Sequence, residues 1–299
     1  MDAAAQEKYR KAGEVAGRAR EYGATLVKPG VKLVDVAEAV EKFIRDHGAQ
    51  PAFPCCISVD ADAAHDTPAP LDERVFAEGQ VVKLDCGAQV DGWIGDTAIT
   101  VEVGATPHGR LLQAARDALA AAVETVKPGV QVRDVSAAVE AAIRGHGFQP
   151  VANLTGHSVD RYHQHAGVSI PSVAATARGQ LLPGMAVAIE PFATDGQGKV
   201  RDAGGGHVWH FQAPRPQRDP TARAALDYIA RHHPDLPFAE RWIANAVPAA
   251  KVAYAMKLLE RSGAVKQYPV LREAGGGQVA QFEHTFLILE DGVVVTTRV

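Results

Sequence analysis

A long internal repeat constrains the fold of this chain more than any other feature of its sequence. When the chain is compared with itself at a shift of 99 residues, Lys28–Pro51 aligns with Lys127–Pro150, and fifteen of the twenty-four positions are identical. Average composition would give roughly two identities. In each copy a Lys-Pro-Gly turn leads into apolar residues at three- and four-residue spacing, which end at a His-Gly pair. The repeat predicts two equivalent helices, with Asp35 and Asp134 as their N-caps.

The similarity continues weakly beyond the two helices. Residues 78–85 and 183–190 each begin with a glycine turn, continue as an apolar run rich in β-branched residues, and end in a carboxylate. The period is much longer than that of solenoid repeats, and the chain holds two copies. We therefore predict an α+β fold of two duplicated halves around an antiparallel sheet, with a cleft where the halves meet.

Other segments complete this coarse prediction. Helices are expected over 5–25 and 108–126, and strands over 79–103, 183–194 and 282–298, the last with a hairpin turn at Asp291-Gly292. After a proline-rich passage, helical periodicity predicts an insert at about 212–270 within the second half. The chain, 1–299, is expected to be a single catalytic domain that contains this insert.

Composition excludes several classes of protein. The 299 residues are 46% hydrophobic and 22% charged with a net charge of −4, which excludes a disordered chain and a general affinity for DNA or anionic membranes. Three cysteines are too few for a disulfide framework, and the neighbours Cys55 and Cys56 are expected to be small buried residues. The sequence predicts neither a membrane span nor a signal peptide, so we expect a cytoplasmic protein.

Two aspartates lie on one predicted hairpin. Residues 81–101 predict two strands joined at Asp91-Gly92, and this turn places Asp85 opposite Ala98 and diagonal to Asp96. Two carboxylates on one face repel each other unless both are solvated, one is protonated, or both bind a cation. For an isolated pair, a solvated face is the usual outcome.

Three further residues favour a metal site. Glu190 occupies the repeat position of Asp85, and Glu283 opens a predicted strand whose pattern parallels Gly95–Thr97. His157 lies in a glycine-containing, loop-like stretch after the second repeat helix. Carboxylates with one imidazole suit Mn, Co, Fe or Zn, and bridging carboxylates suit two metals about 3.5–4 Å apart.

Six motifs, in a specific order along the chain, are typical of a known family. They are AFP at 52–54, AAH at 63–65, VVKLDCGAQVDGWIGDTAITV at 81–101, NLTGHSVDRYHQHAG at 153–167, AIEPFAT at 188–194 and AQFEHT at 280–285. Together they resemble the type 2 methionine aminopeptidases, the archaeal and eukaryotic subclass of the pita-bread metallopeptidases, over nearly the whole chain. The resemblance implies the pita-bread fold, two divalent metal cations per chain, and removal of the initiator methionine from nascent proteins and peptides.

The resemblance also implies a role for individual residues. The five metal ligands of the family match Asp85, Asp96, His157, Glu190 and Glu283. Its substrate-contacting histidines match His65 and His165, and walls of its methionine pocket match Phe53 and Tyr268. We expect Glu190 to act also as general acid and base, and the two histidines to hold the substrate carbonyl or the oxyanion.

The insert also resembles type 2 enzymes in its length. Residues 215–273 hold ten Lys or Arg against six Asp or Glu, which leaves a net charge of −8 on the rest of the chain. A basic insert could be a winged-helix-like nucleic-acid contact, with a transient contact to the ribosome. So modest an excess favours a solvated helical subdomain that narrows the cleft of a monomer.

Three other functions stay open. Prolidases and aminopeptidases P have the same ligands but usually carry a large N-terminal domain, and only 84 residues precede Asp85. A non-catalytic binding protein of the proliferation-associated type would lose ligands, and a duplicated small-molecule-binding module would need none. Cys55-Cys56 and Asp66 depart from the family pattern beside the predicted substrate pocket.

Overall fold

The computed structural model describes residues 1–105 and 107–299. The helices in these ranges are α1 (Ala3–Leu26), α2 (Leu33–Asp46), α3 (Gly109–Thr125), α4 (Val132–Gly145), α5 (Pro220–His232), α6 (Ala249–Arg261) and the 3-10 helix η1 (Glu240–Asn245). The strands are β1 (Gln50–Pro51), β2 (Cys56–Val59), β3 (Asp62–Ala64), β4 (Val81–Val90), β5 (Trp93–Glu102), β6 (Val130–Gln131), β7 (Gln149–Pro150), β8 (Thr155–Val159), β9 (Ser169–Pro171), β10 (Gln180–Leu181), β11 (Ala186–Ile189), β12 (Phe192–Thr194), β13 (Val200–Asp202), β14 (Val208–Phe211), β15 (Phe238–Ala239), β16 (Val265–Tyr268), β17 (Leu271–Glu273), β18 (Val279–Gln281), β19 (His284–Ile288) and β20 (Val293–Val295).

The repeat forms α2 and α4, which begin and end at equivalent positions, so the prediction of two equivalent helices is confirmed. The prediction of their N-caps is wrong. Lys32 and Gln131 occupy the cap positions, and Asp35 and Asp134 lie in the first helical turn. Each helix begins earlier because the residue after its cap is apolar and packs into the core. A carboxylate in the first turn still stabilises the helix through the helix dipole.

Each half buries a helix pair against its own strands, which confirms the duplicated α+β fold. In the first half, α1 and α2 share a core with β4 that includes Val40 and Leu84. In the second half, α3 and α4 share a core with β11 and β19 that includes Leu119 and Phe286. The sheets are antiparallel, with strand orders β1-β4-β2 (β5 also pairs with β4) and β20-β19-β11-β8-β9.

The predicted hairpin turns are also confirmed. The strands β4 and β5 meet at Asp91-Gly92, and Asp85 pairs with Ala98. Gly92 has a φ of 88°, a left-handed conformation that glycine adopts without strain. The Asp291-Gly292 turn joins β19 to β20.

Threonine side chains join the two halves where β5 meets β19. The backbone N–H of Asp96 donates to Thr285 Oγ1 over 2.8 Å, and this hydroxyl donates to the Asp96 carbonyl over 2.8 Å. Nearby, the N–H of Glu283 donates to the Ala98 carbonyl over 3.1 Å. These bonds take the place of the regular backbone hydrogen bonds of a β-sheet. They also bring acidic residues of both halves close together.

The segment with helical periodicity contains more than helices. Helices α5 and α6 and η1 pack together around a core that includes Trp209, Phe238 and Met256. The short strands β15 and β16 lie inside this segment and pair with β14 in a three-stranded sheet. Strands this short produce no clear period in a sequence. Within the described ranges, every helix is too short or too polar to cross a membrane.

Candidate metal centre and substrate cleft

The structure brings the five candidate metal ligands together from the two main sheets. Asp85 and Asp96 lie on the hairpin of β4 and β5, Glu190 follows β11, and Glu283 immediately precedes β19. The prediction that His157 lies in a loop is wrong, because it lies on β8 and pairs with Ala188 of β11. The glycine-containing stretch around it resembles a loop in sequence, but its backbone is held between two strands.

The ligand atoms form two overlapping groups. Those of Asp96, His157 and Glu283 lie within 4.8 Å of one another, as do those of Asp85, Glu190 and Glu283. His157 Nε2 lies 3.9 Å from Asp96 Oδ2 and 3.8 Å from Glu190 Oε1. These separations are too long for hydrogen bonds, but they fit two ligands that each lie about 2 Å from one cation.

Burial shifts the pKa of every one of these groups. It raises the pKa of Asp85 to about 7. It raises the pKa of Asp96, Glu190 and Glu283 well above their usual range, and repulsion from neighbouring carboxylates adds to this effect. Burial, and next the nearby His165, lower the pKa of His157 to about 3, so its imidazole is neutral. Four such carboxyl groups can ionise together only when a cation joins them.

The residues present fit divalent cations. Asp85 Oδ1 and Glu283 Oε2 are buried and accept no hydrogen bond from the part of the chain that the structure describes. A buried carboxylate oxygen without a partner is costly, and coordination to a metal removes that cost. Four carboxylates with one neutral imidazole form a donor set that suits Mn, Fe, Co or Zn.

The predicted substrate residues surround the same cluster. A cavity of about 220 Å³ is lined by every residue predicted for the site: Phe53, His65, Asp85, Asp96, His157, His165, Glu190, Tyr268 and Glu283. Gly87 is essential to this lining, because a Cβ there would lie 2.3 Å from the ring of Phe53.

The two cleft histidines are held differently. His65 Nδ1 lies 3.3 Å from the carbonyl oxygen of Pro269, and the edge of its ring faces Tyr268 at 5.6 Å. Because a carbonyl can only accept, Nδ1 carries the proton in this bond. Burial lowers the pKa of His65 to about 4, so Nε2 is a free acceptor at neutral pH. The ring of His165 meets that of His157 at 4.4 Å.

Gln281, which no sequence pattern identified, contacts two of the candidate ligands. Its Nε2 donates to Asp85 Oδ2 over 3.2 Å and to Glu190 Oε2 over 3.0 Å. Its backbone N–H and carbonyl both bond to the hydroxyl of Thr100. The AQFEHT motif contains this residue, but no spacing rule distinguishes it from its neighbours.

The residues that depart from the family pattern have structural partners. Cys55 and Cys56 are buried, as predicted, and Cys56 lines the cavity. Asp66 is buried outside the cavity lining, where Arg74 forms a two-point ion pair with it at 2.7 and 3.1 Å.

Comparisons with known proteins agree with this architecture. The sequence pattern of Metallopeptidase family M24 matches residues 7–290. The "Methionine aminopeptidase" of Thermococcus kodakarensis is 46% identical over 288 residues, which cover 96% of this chain and 97% of that protein. These matches extend over the sheet, the candidate ligands and the insert.

Solved structures share the fold. The crystal structure of methionine aminopeptidase from Thermotoga maritima superposes with a TM-score of 0.72 at 25% identity and covers 100% of this chain and 98% of that chain. Prolidase from Pyrococcus furiosus superposes at 0.64 with 19% identity, over 100% of this chain and 65% of that chain. The expected pita-bread fold and the resemblance to methionine aminopeptidases are confirmed, and the chain belongs to Metallopeptidase family M24.

Proposed function

We propose that this chain is a metal-dependent aminopeptidase that removes the N-terminal methionine from nascent proteins and peptides. The observation that carries the proposal is the buried cluster of four carboxylates and one neutral imidazole, which lies in a cavity with two histidines and an apolar wall. The name of the Thermococcus relative, which matches nearly the whole chain, supports methionine as the residue removed.

The candidate ligands would hold two divalent cations, with Glu283 belonging to both groups. When bound, such a pair supplies an acidified water and polarises the carbonyl that is attacked. Co, Mn, Fe and Zn all suit the donor set. The chain's own residues then have to place the peptide and move protons.

Glu190 is the proposed general acid and base. Gln281 holds Glu190 Oε2 by a 3.0 Å hydrogen bond, so the carboxylate is oriented with Oε1 on the side of His157. From this position it would accept the proton of the attacking water and return it to the amine that leaves.

The contact of His65 with Pro269 supports a division of roles between the two histidines. Because His65 Nδ1 donates to Pro269, Nε2 can only accept, and it would hold the N–H of the scissile peptide bond rather than its oxygen. The contact with the carbonyl oxygen and the developing oxyanion would then belong to His165.

The lining of the cavity suits the flexible, polarizable side chain of methionine. Phe53 and Tyr268 supply aromatic surface, and Cys56 adds a small polarizable group. A flexible thioether packs well against such surfaces.

The alternatives have less support. The Pyrococcus prolidase is 19% identical to this chain, whereas the Thermococcus methionine aminopeptidase is 46% identical, which favours methionine over an X-Pro substrate. A non-catalytic relative would not need all the metal ligands, whereas in this chain all five candidate ligands are present and lie in one cluster.

The test compares hydrolysis of a Met-Gly peptide with that of an X-Pro peptide after chelation and addition of Mn, Co or Fe. Cleavage of the Met-Gly peptide, lost in Glu190→Gln, is expected. A preference for X-Pro would refute methionine specificity, and inactivity with every metal would favour the binding protein.

As a second and finer part of the proposal, the enzyme is a cytoplasmic monomer, and its insert contacts the ribosome transiently. The support is the net charge of +4 that residues 215–273 carry. Co-sedimentation with ribosomes should weaken steeply as salt rises. An association that does not depend on salt would contradict it.

A further inference from the structure

The substrate cavity has two walls that come from distant parts of the chain. Phe53, Cys56 and His65 form what we call the N-terminal wall. Val208, Pro237 and Tyr268 form a second part of the lining, which we call the insert wall. In the small sheet, β14 pairs with β15 on one side and with β16 on the other, so the insert wall is a single unit.

A buried ion pair joins the two walls behind the cavity. Glu41 lies on α2, and Arg241 lies on η1, two residues after β15. Their side chains are 1% and 4% exposed, and they form a direct salt bridge. The indole of Trp242 donates to the other oxygen of Glu41 over 2.8 Å. The pair therefore fixes η1, and the insert wall with it, against α2.

The same pair holds both ends of the N-terminal wall. Arg241 Nη1 donates to Thr67 Oγ1 over 2.7 Å, and Thr67 Oγ1 donates to the Cys55 carbonyl over 2.7 Å. The N–H of Cys55 donates to Glu41 Oε1 over 3.1 Å. These bonds form a closed network around the segment that carries His65.

His65 depends on this support for its conformation. Its φ is 66°, which is a strained backbone conformation for a residue with a side chain. Its imidazole bonds across the cleft to Pro269, which follows β16 of the insert wall. Pairing of Ala64 with Leu271 joins the same two segments, so a shift of the insert wall would act directly on the backbone beside His65.

We propose that Glu41 and Arg241 are a positioning pair, which sets the separation of the two walls and so the orientation of His65 and the fit of the N-terminal methionine side chain. A buried ion pair is weak evidence for stability, because desolvation offsets much of its attraction. The hydrogen bonds of this pair to Cys55, Thr67 and Trp242 instead keep the insert wall and the N-terminal wall in one relative position. The substrate named here rests on the proposed function.

The main test is Arg241→Lys in the full chain loaded with Mn²⁺. Lysine keeps the charge beside Glu41, but a compact ammonium cannot replace the fork that also reaches Thr67. We expect KM for a Met-Gly-Met peptide to rise about tenfold with a smaller change in kcat, and the preference over the Leu-Gly-Met peptide to fall. Mn²⁺ stoichiometry, measured by calorimetry, should not change.

A second readout does not depend on activity. Nitrogen-15 NMR of the imidazoles should show His65 as the Nδ1–H tautomer in the wild type and as a mixture of tautomers in Arg241→Lys. If the wild type cleaves no Met peptide, the proposed function fails, whereas the tautomer of His65 still tests the positioning pair.

Two further variants keep the test falsifiable. Leu259→Ala removes a side chain buried in the core of the insert, away from the cavity lining, and should lower stability while leaving selectivity and the His65 tautomer unchanged. Thr67→Val removes one link and leaves the ion pair, and should change KM in the same direction by about threefold. Unchanged selectivity and tautomer in folded Arg241→Lys and Thr67→Val, or equal changes in Leu259→Ala, would overturn the proposal.

Discussion

Replacement of Gln281 by methionine should weaken metal binding without unfolding the protein. The side chain donates to Asp85 and Glu190 at once, and methionine has a similar length but no donor. Each carboxylate would regain about 0.5–1.5 kcal/mol of side-chain freedom, which must be lost again when metal binds. The sum of about 1–3 kcal/mol corresponds to a loss of about 5–150-fold in affinity, a range that includes the usual effect, about 10–100-fold, of removing a group that orients a ligand. The main-chain bonds of residue 281 to Thr100 remain, so the strand should keep its place.

The assay is calorimetric titration of Mn²⁺ into chelator-treated protein at neutral pH. Gln267→Met is the matched control, because the amide of Gln267 donates to the carbonyl of Gly206 and to no carboxylate. An affinity of Gln281→Met within twofold of the wild type would refute the reasoning. Equal weakening in both variants would show that loss of any amide hydrogen bond, rather than orientation of the ligands, causes the effect.

Three more predictions concern stability and the pocket. After chelation, Asp85→Asn should gain thermal stability relative to the wild type as pH rises from about 4 to 7, because the folded wild type keeps the proton of Asp85, whose pKa is raised to about 7, while its unfolded state releases it; excess Mn²⁺ should reverse this difference in thermal melts. Glu273→Gln should lower the free energy of unfolding by about 2–3 kcal/mol in urea titrations, because the buried carboxylate accepts four backbone N–H groups; an unchanged midpoint would contradict this. Gly87→Ala should raise KM for the Met peptide about tenfold by displacing Phe53, whereas Gly145→Ala, whose Cβ meets open space, should not.

Local patterns predicted much of the fold. The repeat identified α2 and α4 as equivalent helices because turn, apolar period and stop residues lie within one short stretch of each copy. The Asp-Gly turn determined the register of β4 and β5 because a two-residue turn leaves one way to pair the strands. Prediction failed for the strand that carries His157, because its glycine and polar residues resemble a loop until neighbouring strands hold them.

In the candidate site, the sequence predicted the ligands but not the contacts between them. The types of ligand and their approximate positions followed from the repeat and the family motifs. The contact of Gln281 with Asp85 and Glu190 did not, because these side chains meet only when strands from both halves pack together. The direction in which His65 donates also needed the structure, since it depends on a carbonyl 204 positions away.

By itself, the sequence determined a duplicated fold, an acidic hairpin and the identity of five candidate ligands, because each of these leaves a local pattern of period, turn or motif. Tertiary structure alone decided which buried polar atoms share a bond, as in the pair of Glu41 and Arg241, which are 200 positions apart. The physical reason is that a hydrogen bond or ion pair between remote segments has no sequence period. Its formation depends on how the two halves and the insert pack, and on the need of every buried charge for a partner.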